Sequence, residues 1–190
     1  MVEQMSHEAA KYPVSIRVLH WVRAVLILGL LLSGITMTRL PETTAMETFN
    51  LFYNNHKQFG VLVWLLAVVH LVLRWRNRAV LPHMPDALKP WEKVLSHLVH
   101  RVIIVLVLLV PLLGYSMSAS FTQSDGVPFF FFGHVPEILP KNDDAFEVFD
   151  KLHQYSAYLL LTLVALHAAG AIKHRLFDRG GPTDVLPRML

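Results

Sequence analysis

The sequence predicts an all-α fold, an integral membrane four-helix bundle with both termini cytoplasmic. Three observations predict it. Of 190 residues, 54% are hydrophobic and 16% charged, whereas a soluble domain carries about 25% charged residues; the mean hydropathy is +0.44. Four apolar runs, 16–38, 59–75, 102–119 and 152–172, each approach the roughly 20 residues that cross a bilayer. Lys and Arg gather on alternate connections, the bias that orients membrane helices.

Taken in order, the first helix is expected over about 16–38. It is too long for the apolar core of a removable signal peptide, carries Arg23 inside and lacks a small-residue cleavage site at its end. The second runs over about 57–75, with His56 and Lys57 at its mouth. The third, about 101–120, contains Pro111, which should bend it. The fourth, about 152–174, follows an acidic connection with Asp125, Glu137, Asp143, Asp144, Glu147 and Asp150. Within that connection the aromatic run 127–132 is too short to span and reads as an outer loop on the bilayer surface or over the end of the bundle. No internal repeat is visible, so 1–190 reads as one domain. The N-terminal segment with Arg23, the stretch 74–101 and the C-terminal tail hold three, six and four of the 17 Lys and Arg residues. Those three segments are therefore placed inside. The same bias accounts for the pI near 9.3, and no nucleic acid or acidic partner is required. Trp21, Trp64, Trp75 and Trp91 are read as including interface-belt residues.

The chain has no cysteine. That excludes disulfides, thiolate metal sites, Cys-held iron–sulfur clusters and covalent c-type haem. It has 11 histidines. His20 lies one turn into the first span. His56 and His70 stand fourteen residues apart on the second, and His153 and His167 fourteen apart on the fourth. Fourteen residues rise about 21 Å and turn about 1400°, close to four full turns, so each pair points to roughly one face at two depths. Polar residues at membrane depth are functional candidates. Two imidazoles from facing helices can take the two axial positions of an electron-transfer haem, so the candidate is two b haems stacked across the membrane. Gly60, four residues after His56, and Gly170, three after His167, would let a flat macrocycle approach the backbone. His56 and His153 match in depth at the outer side. At the inner side, spacing allows His70–His167 or His20–His167, with His97 and His100 nearer the water.

Arg17-x-x-His20-Trp21, His56-Lys57-x-x-Gly60, Leu152-His153, Leu166-His167-Ala168-Ala169 and Lys173-His174 together resemble the bacterial cytochrome b561 family. The chain is also similar to the di-haem cytochrome b subunits of formate dehydrogenases and nickel hydrogenases. The resemblance implies haem b iron held by His20 and His167 on the inner side and by His56 and His153 on the outer side. His70 departs from the pattern, which often has Arg there; an alternative ligand, a propionate partner and a quinone contact all remain open for it. The third span also lacks a tyrosine that the pattern carries after His100.

The function read from these features is electron transfer across the bacterial inner membrane, coupled to ubiquinone or menaquinone in the lipid. As an oxidoreductase the chain would be quinone-linked, with superoxide, a periplasmic redox partner or a dehydrogenase subunit as electron donor. The acidic outer connection is poor steering for the superoxide anion. His174, Arg74 and His100 mark a candidate quinone site at the inner surface, and Arg23, Arg74 and Arg101 are candidates for haem propionates or for snorkelling to headgroups. His83 and His134 are expected to be exposed. A second copy in a homodimer is a further expected partner. The alternative is a histidine-rich membrane protein that binds or transports Zn²⁺ or Cu ions without haem, although two tiers about 21 Å apart do not converge on one ion.

Overall fold

The computed structural model describes residues 10–41 and 43–190; the domain expected over 1–190 includes residues 1–9 and 42, which lie outside the described residues. Four helices dominate: α1 (Val14–Met37), α2 (Met46–Arg76), α3 (Pro90–Ser120) and α4 (Asp143–Phe177). All four are long and apolar enough to cross a membrane, as the composition predicts. Three of them run well beyond the apolar stretches. α2 begins at Met46 rather than near 57, α3 at Pro90 rather than near 101, and α4 at Asp143 rather than near 152. The reason is local. Pro90 occupies the first turn of α3, where its missing N–H is no loss, and Glu92 Oε2 accepts from the Lys89 N–H at 3.1 Å. At α4, the Asn142 side chain accepts from the Ala145 N–H at 3.0 Å, and Asp143 and Asp144 meet the positive end of the helix dipole. Hydropathy marks the membrane-embedded part of a helix, whereas capping marks its end.

α3 packs along both α4 and α2, and α1 packs along α2. The shared core is Ile27 of α1, Val63 and Ala67 of α2, Leu106, Val107 and Val110 of α3, and Leu160 of α4. Val63 stands midway between His56 and His70, and Leu160 midway between His153 and His167. Seven residues are two turns and about 10 Å, so the tightest packing separates the two histidine tiers. Elsewhere the helices present large apolar side chains outward, among them Val25, Leu32 and Val105, the surface a hydrocarbon solvent requires. α3 continues through Pro111 without interruption.

The connection between α3 and α4 is folded over the end of the bundle where α2 and α4 begin, the end expected to face outward. β1 (Val127–Pro128) pairs antiparallel with β2 (His134–Val135). Lys57 Nζ donates to Gly126 O at 2.9 Å and to Asp125 at 3.3 Å, and Gln58 Oε1 accepts from the Phe130 N–H. Tyr115 Oη donates to Pro136 O at 2.6 Å. Phe130 packs edge-on against Phe59, while Phe131 and Phe132 project outward, 90% and 72% exposed. His83 and His134 are exposed, as expected. Trp21, Trp75 and Trp91 are exposed near helix ends. Trp64 lies in the middle of α2, with its indole N–H buried and unpartnered, so it is no belt residue.

Candidate functional site

The outer tier is built by α2 and α4, with α1 and α3 behind them. His56 lies ten residues into α2 and His153 ten residues into α4, about 15 Å along each helix. They sit inside the bundle rather than at helix mouths. Their ring centroids are 6.1 Å apart at an interplanar angle of 85°. His153 Nδ1 is 2.9 Å from Val110 O; a carbonyl only accepts, so Nδ1 carries the proton. His56 Nδ1 is 2.9 Å from Ser33 Oγ, and the Ser33 hydroxyl donates to Leu30 O at 3.0 Å, so Ser33 accepts from His56 Nδ1–H. Both rings thus present a bare Nε2. This is the tautomer that binds a metal, oriented by a hydrogen bond on the opposite nitrogen.

Two glycines let these rings lie where they do. A Cβ at Gly114 would stand 2.9 Å from His153 Cε1, and one at Gly34 would stand 3.3 Å from His56 Cε1. Beside the pair lies a cavity of ≈ 310 Å³ bounded by Gly34, Gly60, Val110, Gly114 and both histidines, with Lys57, Tyr53 and Gln154 among its few polar side chains. Sequence reading found His56, His153 and Gly60 but missed Ser33, Gly34 and Gly114. Their signal was present in the small pair Ser33-Gly34 and in Gly114 three residues past Pro111. Only the packing of α1 and α3 against the tier gives them meaning.

The inner tier is more crowded. His20 of α1 and His167 of α4 have ring centroids 6.3 Å apart at 66°. His100 of α3 approaches His167 edge-on at 4.8 Å and is held by its own helix, with Nδ1 2.6 Å from Ser96 O. His70 is buried, its Nδ1 without a partner, and shares a cavity of ≈ 10 Å³ with Arg23, Ala67, Leu71, Ile104 and Leu108. That volume is about one water molecule by this measure. Gly170 would meet nothing within 4 Å if it carried a Cβ. The three candidate quinone contacts have separate partners. His174 Nδ1 lies 3.2 Å from Thr183 Oγ1 and its Nε2 3.9 Å from Glu92, which pairs with Lys173 at 2.7 Å. Arg74 lies over the Tyr12 ring, and His100 faces His167. His97 and Arg101 are exposed.

A metal bound by one imidazole nitrogen on each side, at roughly 2 Å per bond, holds the two ring centres roughly 6 Å apart. Both pairs have that separation, and the outer pair adds bare Nε2 atoms and an apolar cleft. The outer-tier residues fit an iron porphyrin held by two histidines, and the inner pair has the same ring separation. Among the described residues no cluster of three or more His, Cys, Asp or Glu side chains is placed to hold a lone metal ion.

The comparisons agree with the sequence resemblance. The family described as prokaryotic cytochrome b561 matches residues 11–190. Cytochrome b561 homolog 2 of Escherichia coli (strain K12) is 25% identical over 186 residues, covering 95% of this chain and 91% of that protein. Cytochrome b561 homolog 1 of the same organism is 25% identical over 135 residues, covering 70% and 73%. Four helices able to cross a bilayer, histidine pairs facing each other across them and a match over nearly the whole length lead to one conclusion: the chain belongs to the prokaryotic cytochrome b561 family, membrane b-type cytochromes of electron transfer.

Proposed function

We propose that the chain binds two b haems, one between His56 and His153 and one between His20 and His167, and carries electrons across the bacterial inner membrane between an outer redox partner and the quinone pool. The observation that carries this reading is the repeat of one geometry at two depths: facing imidazoles with centroids 6.1 and 6.3 Å apart, separated by a packed apolar layer. Bound haem supplies a reversible one-electron couple. The protein's own part is to hold the rings, exclude water and fix the tautomers, which Val110 O and Ser33 do at the outer tier. The bias of Lys and Arg supports placing the His20–His167 tier at the cytoplasmic side.

Reducing a quinone takes two electrons and two protons. His174, in contact with Thr183 and beside the Glu92–Lys173 pair, is an imidazole at the inner end that can accept a proton on one ring nitrogen and donate one from the other. Arg74 lines the same end of the bundle and offers N–H donors to a carbonyl oxygen, while His100, whose Nδ1–H is taken by Ser96 O, leaves its Nε2 as an acceptor for a hydroquinone O–H.

The test is the haem content of the purified protein. Acid-acetone extraction should release haem at a ratio near two per chain, and the reduced form should show b-type bands. His20→Ala should remove one haem and His70→Ala should keep both. A ratio of one, or loss of haem from His70→Ala with His20→Ala intact, overturns the assignment.

A further inference from the structure

α1 packs along α2 and makes few contacts with α4, yet His20 and His167, one on each of these two helices, stand with ring centroids 6.3 Å apart. The chain itself bridges them. Directly after α4 the segment 178–184 reverses direction. The Thr183 N–H and hydroxyl both donate to Asp178 Oδ2, at 2.8 and 2.6 Å. The Gly180 N–H and Arg175 Nη1 both donate to buried Asp184 Oδ2, at 3.0 and 2.7 Å. Gly180 has φ +74°, and a Cβ at Gly181 would collide with Asp178 Oδ1. Glycine is therefore favoured at 180 by the backbone conformation, and a side chain at 181 would have to displace the Asp178 carboxylate.

The turn aims a short 3₁₀ helix, Leu186–Met189, at the start of α1. There the Tyr12 N–H donates to Arg188 O at 3.0 Å, Trp21 Nε1 donates to Met189 O at 2.7 Å, and Arg17 Nη1 donates to Leu190 O. Arg188 Nη1 in turn donates to His83 O of the α2–α3 connection at 2.5 Å. Arg17 and Trp21, four residues apart, lie on one face of α1, and the Trp21 ring meets the His20 ring edge-on at 5.4 Å.

We propose that segment 178–190 is a strap that sets the distance and angle between His20 and His167, with Trp21 as the positioning residue through which it holds the α1 turn that carries His20. The outer tier has no such device, because α1 and α3 close directly on its histidines through Gly34 and Gly114. The strap therefore acts on one tier only. The inference rests on the assignment of His20 and His167 to the inner haem.

The experiment uses the haem-loaded protein with Trp21→Phe, which keeps an aromatic ring but loses the N–H donor and part of the indole, and a second variant lacking residues 182–190. Three quantities are read for each haem: the low-spin electron paramagnetic resonance signal, the midpoint potential and the rate of haem transfer to an apoprotein acceptor. The expected result is a shifted or broadened inner signal, a moved inner potential and about fivefold faster inner-haem loss in Trp21→Phe, the change matching one net hydrogen bond. The shortened variant should lose more, with the outer haem unchanged in both. Unchanged inner-haem properties in both variants, or equal change at both haems, overturn the strap. If His20→Ala retains both haems, the ligand assignment falls and the strap falls with it, an outcome distinct from a required His20 that is indifferent to Trp21.

Discussion

Gly114→Ala is the sharpest probe of the outer tier, because a single methyl group tests the ring placement. The added Cβ would stand 2.9 Å from His153 Cε1 and 3.1 Å from Nδ1, whereas ordinary contact begins at 3.4 Å. The ring must move by about 0.5 Å, the tolerance within which a ligand constellation has to be held. It is not a loose side-chain end: Nδ1 is tied to Val110 O at 2.9 Å, in the turn of α3 just before Pro111. Overpacking of this kind costs about 1–3 kcal/mol, or about 5- to 150-fold in haem affinity at tenfold per 1.4 kcal/mol. The assay is haem content together with competitive haem transfer to an apoprotein, each haem followed by its own spectrum. The expected result is selective weakening of the outer haem, with the ratio falling from two toward one as acceptor is added. Gly29→Ala in α1, where a Cβ meets nothing within 4 Å, is the control. Retention of the outer haem in Gly114→Ala, with spectrum and transfer rate unchanged, refutes the reasoning.

Ser33→Ala leaves His56 Nδ1 without its acceptor and should weaken outer-haem binding about 10- to 100-fold, the usual effect of losing a ligand's orienting partner, while inner-haem transfer stays as in the wild type. The strap should open in acid. Thr183, through its hydroxyl and its N–H, holds the Asp178 carboxyl below the ordinary carboxylate range. Burial pushes the Asp184 carboxyl up, but the Gly180 N–H and Arg175 outweigh it and leave it below that range too. Groups depressed on folding contribute stability above their unfolded value, about 3.9, and lose it as pH falls through the folded one. Peptic cleavage within 178–190 should therefore be slow at pH about 5 and fast well below pH about 4, and Asp184→Asn should make the segment trypsin-sensitive at neutral pH. Equal protection of that segment at both pH values is the contrary result.

The helices were legible in the sequence because hydrocarbon imposes a length and a composition on anything that crosses it, and the fourteen-residue steps were legible because helical geometry converts spacing into facing. Helix starts were not. Asn142 and Glu92 end their helices in polar sequence, which hydropathy discounts, so α3 and α4 begin about three turns before their apolar cores. The partner of His167 was not legible from spacing either. On one helix, equal steps favour His70 as the mirror of His56, but His70 faces Arg23 and α3 across a cavity of ≈ 10 Å³, while His20 stands 6.3 Å from His167. Spacing along a chain fixes depth and face within one helix. It carries no information about which neighbouring helix the face meets.

The two tiers also solve the same problem by different means, and the difference bears on function. At the outer tier each histidine is tied to a group on a third or fourth helix, Ser33 of α1 and Val110 of α3, so any motion that moves a ligand must also separate packed helices. At the inner tier the side chains of His20 and His167 have no comparable tie among the described residues, His100 crowds His167 at 4.8 Å, and under the proposed strap the α1–α4 spacing depends on a segment of chain outside the bundle. Interactions at exposed chain segments open at lower free energy than packed cores. The inner tier is therefore the adjustable one. It lies at the end of the bundle that carries His174, Glu92 and the proposed strap, so under the proposed two-haem arrangement an event that loosens the strap would alter the inner haem's ligand field and leave the outer haem as it was. Comparing the two haems in Trp21→Phe measures that asymmetry directly.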